Sequence, residues 1–112
     1  TRKVMNALWG LGLMMLAKTI VIVDDYVDVQ DLSEVAWRVT SNIDPSNDIV
    51  FVDGPVDDLD HASKTPKLGS KMGIDATAKN SLDGRTREWP PDVVMSEAIK
   101  DLVTEKWDQY GI

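Results

Sequence analysis

Two adjacent carboxylates, Asp24 and Asp25, directly follow the apolar run Thr19-Ile20-Val21-Ile22-Val23. The run is β-branched and does not alternate with polar residues, so it predicts a strand covered on both faces at the centre of a sheet. Open α/β sheets bind ligands at the carboxyl ends of their strands, where paired carboxylates can hold a hard cation such as Mg²⁺. Asp28 and Asp31 follow closely, and such acidic segments are also typical of solvated turns and helix caps. The residues therefore support either an acidic pocket or a turn.

The acidic-pocket interpretation corresponds to a receiver-like signalling domain. Such a domain needs a phospho-acceptor Asp after a later strand and a Lys opposite it, for which Asp53 and Lys71 are the candidates. The chain has fewer strand–helix units than that architecture requires.

His61 is the only histidine of the chain, and Asp57, Asp58 and Asp60 lie near it in sequence. A metal site or a nucleophile–base pair needs partners in defined positions. A lone histidine in a polar loop is more typical of an exposed side chain. We therefore predict no catalytic role for His61 and no metal site, and the absence of cysteine leaves no thiolate ligand or disulfide framework.

An apolar run, Leu13 to Leu16, lies between a predicted helix and the first predicted strand, and Met14 and Met15 form its middle. Methionine side chains adapt to irregular pockets for flat organic ligands, and they fill ordinary cores equally well. Both roles stay open on the residues alone. Trp107, near the end of the chain, is likewise suited to a buried position or to an interface.

Helical periodicity is present at both ends of the chain. Apolar residues recur at i, i+3, i+4 and i+7 between Val4 and Leu11, which predicts a helix from Arg2 to about Leu11 with those residues on its buried face. Residues 96–111 predict a terminal helix that Ser96 caps.

A helix and a second strand are predicted after the first strand. Asp31-Leu32-Ser33-Glu34 has the form of a capping box, and the helix should end before Asp44-Pro45 because proline disfavours helical geometry in the residue before it. Its expected core face leaves Trp37 and Arg38 outside and consists of Leu32, Val35, Ala36 and Val39. Residues 48–52 predict a second buried strand, and the strand–helix–strand order predicts a right-handed parallel crossover.

The second half of the chain is less regular. Residues 53–69 predict a long polar loop, and residues 70–77 alternate in polarity, which predicts a strand exposed on one side. The elements together predict a small three-layer α/β domain with a mostly parallel sheet and a C-terminal helix. We expect residues 1–112 to be a single domain and, because the chain opens on Thr1 with a helix already under way, a fragment of a longer protein.

Composition limits the partners. The chain has 112 residues, 43% of them hydrophobic and 28% charged, which is ordinary for a globular domain. Its net charge of -7 would repel a nucleic-acid backbone. The longest apolar stretch, residues 7–17, is shorter than the roughly 20 residues that span a bilayer, and no signal peptide precedes it. We predict no nucleic-acid or membrane partner and a cytoplasmic location.

An ordered set of segments carries a family resemblance: residues 4–10, 18–25, 27–29, 31–37, 44–45, 69–77 and 86–90. Taken in order they resemble the C-terminal part of UbiD-family carboxy-lyases, and together they extend over nearly the whole chain. The strongest part is Gly-Ser-Lys-Met-Gly-Ile-Asp-Ala-Thr at residues 69–77, followed by Arg-Glu-Trp-Pro at residues 87–90.

The resemblance implies a parent enzyme that decarboxylates an aromatic acid, such as a hydroxyaryl acid, reversibly. It would use prenylated flavin mononucleotide, a divalent metal that is usually manganese, and often potassium. In the family the Glu-Arg-Glu catalytic set and the metal-holding Asn, His and Glu lie upstream, in the flavin-binding domain, and none of those motifs occurs here. The resemblance thus implies an inactive isolated fragment with no catalytic residue and no cofactor of its own.

The implied role is to pack against the upstream flavin-binding domain, to close one side of the substrate pocket and to contribute to a homodimer or higher homo-oligomer. The resemblance implies that three residues of the apolar run, the cation nearest to that run and the single histidine lie near the substrate or cofactor. These residues are Leu13, Met14, Met15, Lys18 and His61. The implied interface residues are Trp107 and Tyr110, in the terminal helix of residues 96–111. The resemblance turns Asp24-Asp25 into a turn feature. A pure dimerisation module remains a third hypothesis beside the receiver-like one.

Overall fold

Three strands form one mixed sheet in the computed structural model, which describes residues 1–111. β3 (Leu68–Asp75) lies between β1 (Thr19–Ile22), to which it is parallel, and β2 (Ile49–Pro55), to which it is antiparallel. The predicted α/β class is confirmed, and the sheet has one parallel and one antiparallel pair where a mostly parallel sheet was expected. The prediction of a parallel crossover between β1 and β2 is wrong. β3 lies between these two strands and forms an antiparallel hairpin with β2.

The strand order also corrects the expected burial. β1 was expected at the centre, covered on both faces, but it is an edge strand, and β3 is the central strand. β3 is exposed on one side over its first part, as expected, since Leu68 and Ser70 are exposed. Its polarity pattern was misleading at Lys71, which is polar but only 3% exposed. Its long side chain carries the ammonium to a backbone carbonyl, so a residue that reads as solvent-facing is buried.

Helix α1 (Arg2–Trp9) packs on one face of the sheet, and it does so through Met5 rather than through the expected Val4 face. Met5 is 1% exposed and Val4 is 48% exposed. At Gly73 a Cβ atom would lie 2.5 Å from Sδ of Met5 and 3.1 Å from the Trp9 ring, so the glycine allows the helix to approach the central strand. The other buried apolar residues among those described are Ile20, Val27, Val56, Ile74 and Ala76.

Helix α2 (Leu32–Asn42) begins and ends as predicted. The Asp31 carboxylate accepts hydrogen bonds from the amides of Ser33 (2.9 Å) and Glu34 (3.1 Å), which confirms the cap. The buried face differs from the prediction: Leu32 is 77% exposed, whereas Arg38, expected outside, is 4% exposed. A one-turn helix, α3 (Pro45–Asp48), follows directly and leads into β2.

The end of the chain extends away from the sheet. We define the C-terminal arm as residues 93–111; it contains α4 (Glu97–Glu105) and a short 3₁₀ turn, Trp107–Gln109, and none of its residues is buried. The radius of gyration is 18.8 Å, compared with about 13 Å for a compact domain of this length. Among residues 1–111, none of the helices has the length and apolarity that crossing a membrane requires.

Candidate functional site

The candidate site is an exposed 3₁₀ turn, Gly12–Leu16, between α1 and β1, which we call the apolar turn. Leu13 is 83% exposed, Met14 45% and Met15 38%. Of the two roles that the sequence left open for this run, core packing is excluded within residues 1–111. Exposed side chains of this size next to one another are typical of a surface that another part of a protein or a ligand covers.

Two polar contacts fix the backbone of the apolar turn. The indole Nε1 of Trp9 donates to the carbonyl oxygen of Ala17 at 2.9 Å, and the ammonium Nζ of Lys71 donates to the carbonyl oxygen of Met15 at 2.7 Å. Gly12 adopts a φ of 48°, a left-handed conformation that glycine enters without strain. The side chains of the turn are therefore exposed while its backbone is tied to α1 and to the central strand.

Lys18 follows the apolar turn and joins it to the hairpin loop. Its Nζ donates to both carboxylate oxygens of Asp60, at 2.9 and 2.7 Å. These hydrogen bonds hold the pKa of Asp60 below its ordinary value. Because the ammonium already has a carboxylate partner, Lys18 is not an uncompensated cation.

His61 lies next to Asp60 in the same loop and is exposed, without a side-chain hydrogen bond among the described residues. The structure thus places Lys18 and the start of the loop together. It also forms a shallow cleft of about 320 Å³ there, lined by Lys18, Ser63, Leu68 and neighbouring residues. His61 does not line that cleft.

The carboxylates at the end of β1 form a turn, as the family resemblance implies. Oδ2 of Asp24 accepts a hydrogen bond from the amide of Ala78 at 2.8 Å. Asp53, the proposed phospho-acceptor, pairs with Ser70 near the start of β3, at the opposite end of the sheet. Among residues 1–111, no three His, Cys, Asp or Glu side chains are grouped closely enough to hold a metal ion. The receiver-like alternative therefore loses its site.

A larger open cleft, of about 880 Å³, lies at the other end of the sheet, and the sequence analysis did not find it. Lys79 contributes an ammonium that is 10% exposed and lies 3.4 Å from Asp75 and 3.7 Å from Asp48. The Arg85 guanidinium, also at this cleft, stacks on Trp89 at 4.5 Å. Both acidic and basic side chains line the cleft, so its charge favours no particular class of ligand.

Arg38 is, after Lys71, the second buried cation that the sequence pattern did not predict. Its guanidinium donates to both carboxylate oxygens of Asp92, at 2.8 and 2.7 Å, and to Glu34 at 3.2 Å. It lies 4.4 Å from the Trp37 ring and 5.3 Å from the Tyr26 ring. We call this set the Arg38 clasp. It raises the pKa of Arg38 and lowers that of Asp92, each through the hydrogen bonds between them.

The clasp joins α2 to the residue just before the C-terminal arm, a contact between positions 54 apart in sequence. Beyond it the two predicted interface residues are half exposed, Trp107 at 51% and Tyr110 at 50%. A signal for the clasp was present in the Glu34 and Arg38 spacing of four residues, which is that of a helix-face ion pair.

Comparison with known proteins identifies one family. Residues 1–76 match the model of the 3-octaprenyl-4-hydroxybenzoate carboxy-lyase C-terminal domain, UbiD_C. An uncharacterized protein of Aquifex aeolicus is 49% identical over 110 residues, which cover 98% of this chain and 23% of that protein. An uncharacterized protein of Archaeoglobus fulgidus is 46% identical over 109 residues, which cover 96% of this chain and 23% of that protein.

Two solved structures have the same fold. The closed form of vanillic acid decarboxylase from Sedimentibacter hydroxybenzoicus is 26% identical with a TM-score of 0.76, covering 97% of this chain and 22% of that chain. The UbiD-class enzyme HmfF from Pelotomaculum thermopropionicum, in complex with FMN, is 26% identical with a TM-score of 0.64, covering 91% of this chain and 22% of that chain. The chain thus spans less than a quarter of the length of these relatives.

Proposed function

The chain belongs to the UbiD_C family of carboxy-lyase C-terminal domains, and from this premise we propose that it is the non-catalytic C-terminal domain of a longer decarboxylase that acts on an aromatic acid. The observation that carries the proposal is the family match, together with the small share of each relative's length that this chain covers. The matched relatives extend far beyond the aligned region, since this chain covers only 23% of the length of each of them.

The large exposed surface supports the proposal that other domains or chains cover part of this domain. The solvent-accessible area is 8691 Å², whereas a monomeric protein of this mass exposes about 6,100 Å². The excess is of the size that a chain buries in a large permanent interface. The sheet contributes to it, because the face opposite α1 exposes Phe51 (69%) and Leu68 (54%). We propose that the upstream flavin-binding domain of the same polypeptide covers this face.

The apolar turn is the part of the domain that we propose as a wall of the substrate pocket. An aromatic ring is best held by apolar side chains on a fixed backbone, because binding then costs little ordering of the protein. The exposed Leu13 and Met14 on a tethered turn meet that requirement. Lys18 and His61 remain candidates for the rim of the same pocket.

The cofactor of the parent enzyme is proposed to be prenylated FMN with manganese, and with potassium in some relatives. HmfF, which resembles this chain over its C-terminal part, was solved with FMN. The residues of this chain do not fit a site for the flavin or its metal: Lys18 is neutralised by Asp60, and residues 1–111 contain no grouped donor set. We therefore propose that the upstream domain holds the cofactor and performs the chemistry. The cytoplasmic location stays a prediction.

The C-terminal arm is proposed to bind another copy of the parent protein. Ile99 and Leu102, three residues apart on α4, lie on one side of that helix, and four large apolar or aromatic side chains of the arm are about half exposed: Ile99, Leu102, Trp107 and Tyr110. Aromatic residues of this kind dominate the energy of protein interfaces. A homodimer or higher homo-oligomer would bury them.

The experiment that tests the pocket role uses the full-length protein with its cofactor. We expect Leu13→Asp to raise KM for an aromatic acid at least tenfold while the bound flavin is retained, because a carboxylate would replace an apolar contact and repel the substrate's own carboxylate. Leu82→Asp is the matched control, since Leu82 is 95% exposed and lies near the larger cleft. Equal KM values for both variants would contradict the pocket role, and absence of decarboxylation by the unaltered protein would contradict the proposed function as a whole.

A further inference from the structure

Lys71 is a buried cation without a carboxylate. It lies on the central strand and is 3% exposed, and no acidic oxygen lies within 4.0 Å of its ammonium among residues 1–111. Its contacts are the carbonyl oxygen of Met15, at 2.7 Å, and the Trp9 ring, whose centroid is 5.6 Å away. Burying an ammonium is costly unless its hydrogen bonds are made, so the partners that it does have define what it does.

Among residues 1–111, the one hydrogen-bond acceptor of the Lys71 ammonium is the carbonyl oxygen of Met15, in the apolar turn. Lys71 and Met15 are separated by 56 positions, and their hydrogen bond joins the centre of the sheet to the middle of the turn. The site is shaped around the ammonium, because a Cβ atom at Gly54 on the neighbouring strand would lie 3.2 Å from Nζ and 3.3 Å from Cε. An alanine there would press on the lysine side chain from β2.

From these contacts we infer that Lys71 is the positioning residue of the apolar turn: it fixes the Met15 carbonyl and thereby sets where Leu13 and Met14 are presented. The inference deepens the proposed function and rests on it for its consequence in catalysis. Trp9 also fixes the end of the turn, because its indole Nε1 donates to the carbonyl oxygen of Ala17. The rest of the sheet does not depend on the ammonium, since the β3 ladder is made by backbone groups.

A positioning role for Lys71 can be distinguished from a general structural role, because the two predict opposite changes in the unfolding midpoint when the ammonium is removed. Lys71→Met keeps the apolar stem and removes only the ammonium, so the cost of burying a charge disappears with it. We expect the midpoint of thermal unfolding to stay the same or to rise. Backbone amides of the turn, including those of Met14 and Ala17 that close it, should exchange their hydrogens about tenfold faster, because one charge-assisted hydrogen bond is lost.

The test compares Lys71→Met, Gly54→Ala and Lys3→Met in the full-length protein with its cofactor. Gly54→Ala displaces the ammonium without deleting it and should give the same local effect in a weaker form. Lys3→Met removes an exposed ammonium of α1 and should change nothing. Hydrogen exchange of residues 12–17, the unfolding midpoint, and KM and kcat for an aromatic acid are measured for each.

Faster exchange confined to residues 12–17 in the first two variants supports the inference, and a rise in KM of about tenfold with kcat unchanged also supports the pocket role of the turn. Faster exchange without a change in KM supports the positioning role and contradicts the proposed pocket wall. Unchanged exchange at residues 12–17 overturns the inference. So does a fall in the unfolding midpoint with faster exchange throughout the sheet, because Lys71 would then be a general structural residue.

Discussion

The body of the chain, residues 1–92, buries side chains of α1, the sheet and the loops against one another, whereas the C-terminal arm buries none. Body contacts join positions far apart in sequence, such as Gly73 with Met5 and Arg38 with Asp92. The side-chain hydrogen bond within the arm's own helix is local, from Lys100 to Glu97. The body is therefore held together by its own long-range contacts, and the Arg38 clasp holds Asp92, the residue just before the arm, to α2.

The contrast separates a body that packs on itself, residues 1–92, from an arm, residues 93–111, that has an uncovered apolar helix face. An apolar helix face without a partner in its own chain is stabilised only when another surface covers it. In the proposed decarboxylase that surface belongs to another copy of the protein. The two regions should thus respond differently to equal changes in side-chain size, charge or length.

The largest expected difference concerns size. Gly73→Val places a side chain where even a Cβ would lie 2.5 Å from Met5 Sδ, so α1 must move away from β3. We expect a loss of about 3 kcal/mol in the free energy of unfolding, measured by urea denaturation of the chain. Ala98→Val adds methyl groups to exposed α4 and should cost no more than about 0.5 kcal/mol. Equal losses for the two variants would remove the distinction between body and arm.

The next effect concerns the root of the arm. Arg38→Met removes both hydrogen bonds to Asp92 and the stacked guanidinium between Trp37 and Tyr26. We expect residues 90–96 to be cleaved faster in limited proteolysis, because the hydrogen bonds that hold Asp92 to α2 are then lost. Lys100→Met, which breaks only the exposed pair with Glu97, is the control and should leave the cleavage rate unchanged. Equal rates in the two variants would mean that the clasp does not anchor the arm.

Removal of the arm should separate stability from assembly. A full-length protein shortened to end at Asp92 lacks the arm, none of whose residues is buried, so we expect its unfolding midpoint as a monomer to match that of the intact monomer closely. Its mass by light scattering should fall to that of one chain, because the apolar side of α4 is gone. An unchanged oligomer would show that another surface holds the copies together.

The smallest effect is that of pH near neutrality. The pKa of Asp92 is held below its ordinary value, near 3.9, by the hydrogen bonds of Arg38, so the clasp contributes at all pH values above that value. It is lost only as the pH falls through the lowered pKa. Amide NMR signals of Val93 and Val94 should therefore be constant from pH 8 to pH 5 and shift below about pH 4. A shift between pH 5 and pH 7 would contradict the ion pair.

Sequence patterns found the elements but not the way in which they are assembled. Local signals located α1, the Asp31 cap of α2 and all three strands, since periodicity and capping act over a few residues. Strand order depends on which strands meet across the chain, and the apolar run of β1 gave no information on that. An edge strand therefore read as a central one.

The cations were missed for a related physical reason. Lys71 and Arg38 read as solvent-facing because their charge is costly to bury alone, and the partners that offset the cost lie 56 and 54 positions away. The apolar turn, by contrast, was singled out from Met14 and Met15, although only the structure excluded a place in the core of residues 1–111. The catalytic chemistry came from the family resemblance alone.

The central claim is that this chain shapes the site of a decarboxylase without performing its chemistry, and titration of the isolated chain with prenylated FMN and Mn²⁺ tests it most directly. Calorimetry should show no stoichiometric binding by the isolated chain, and an aromatic acid added to the mixture should release no carbon dioxide. We expect the full-length protein to bind the flavin and to release carbon dioxide from the acid. Binding of one flavin per isolated chain, or decarboxylation by it, would contradict the claim.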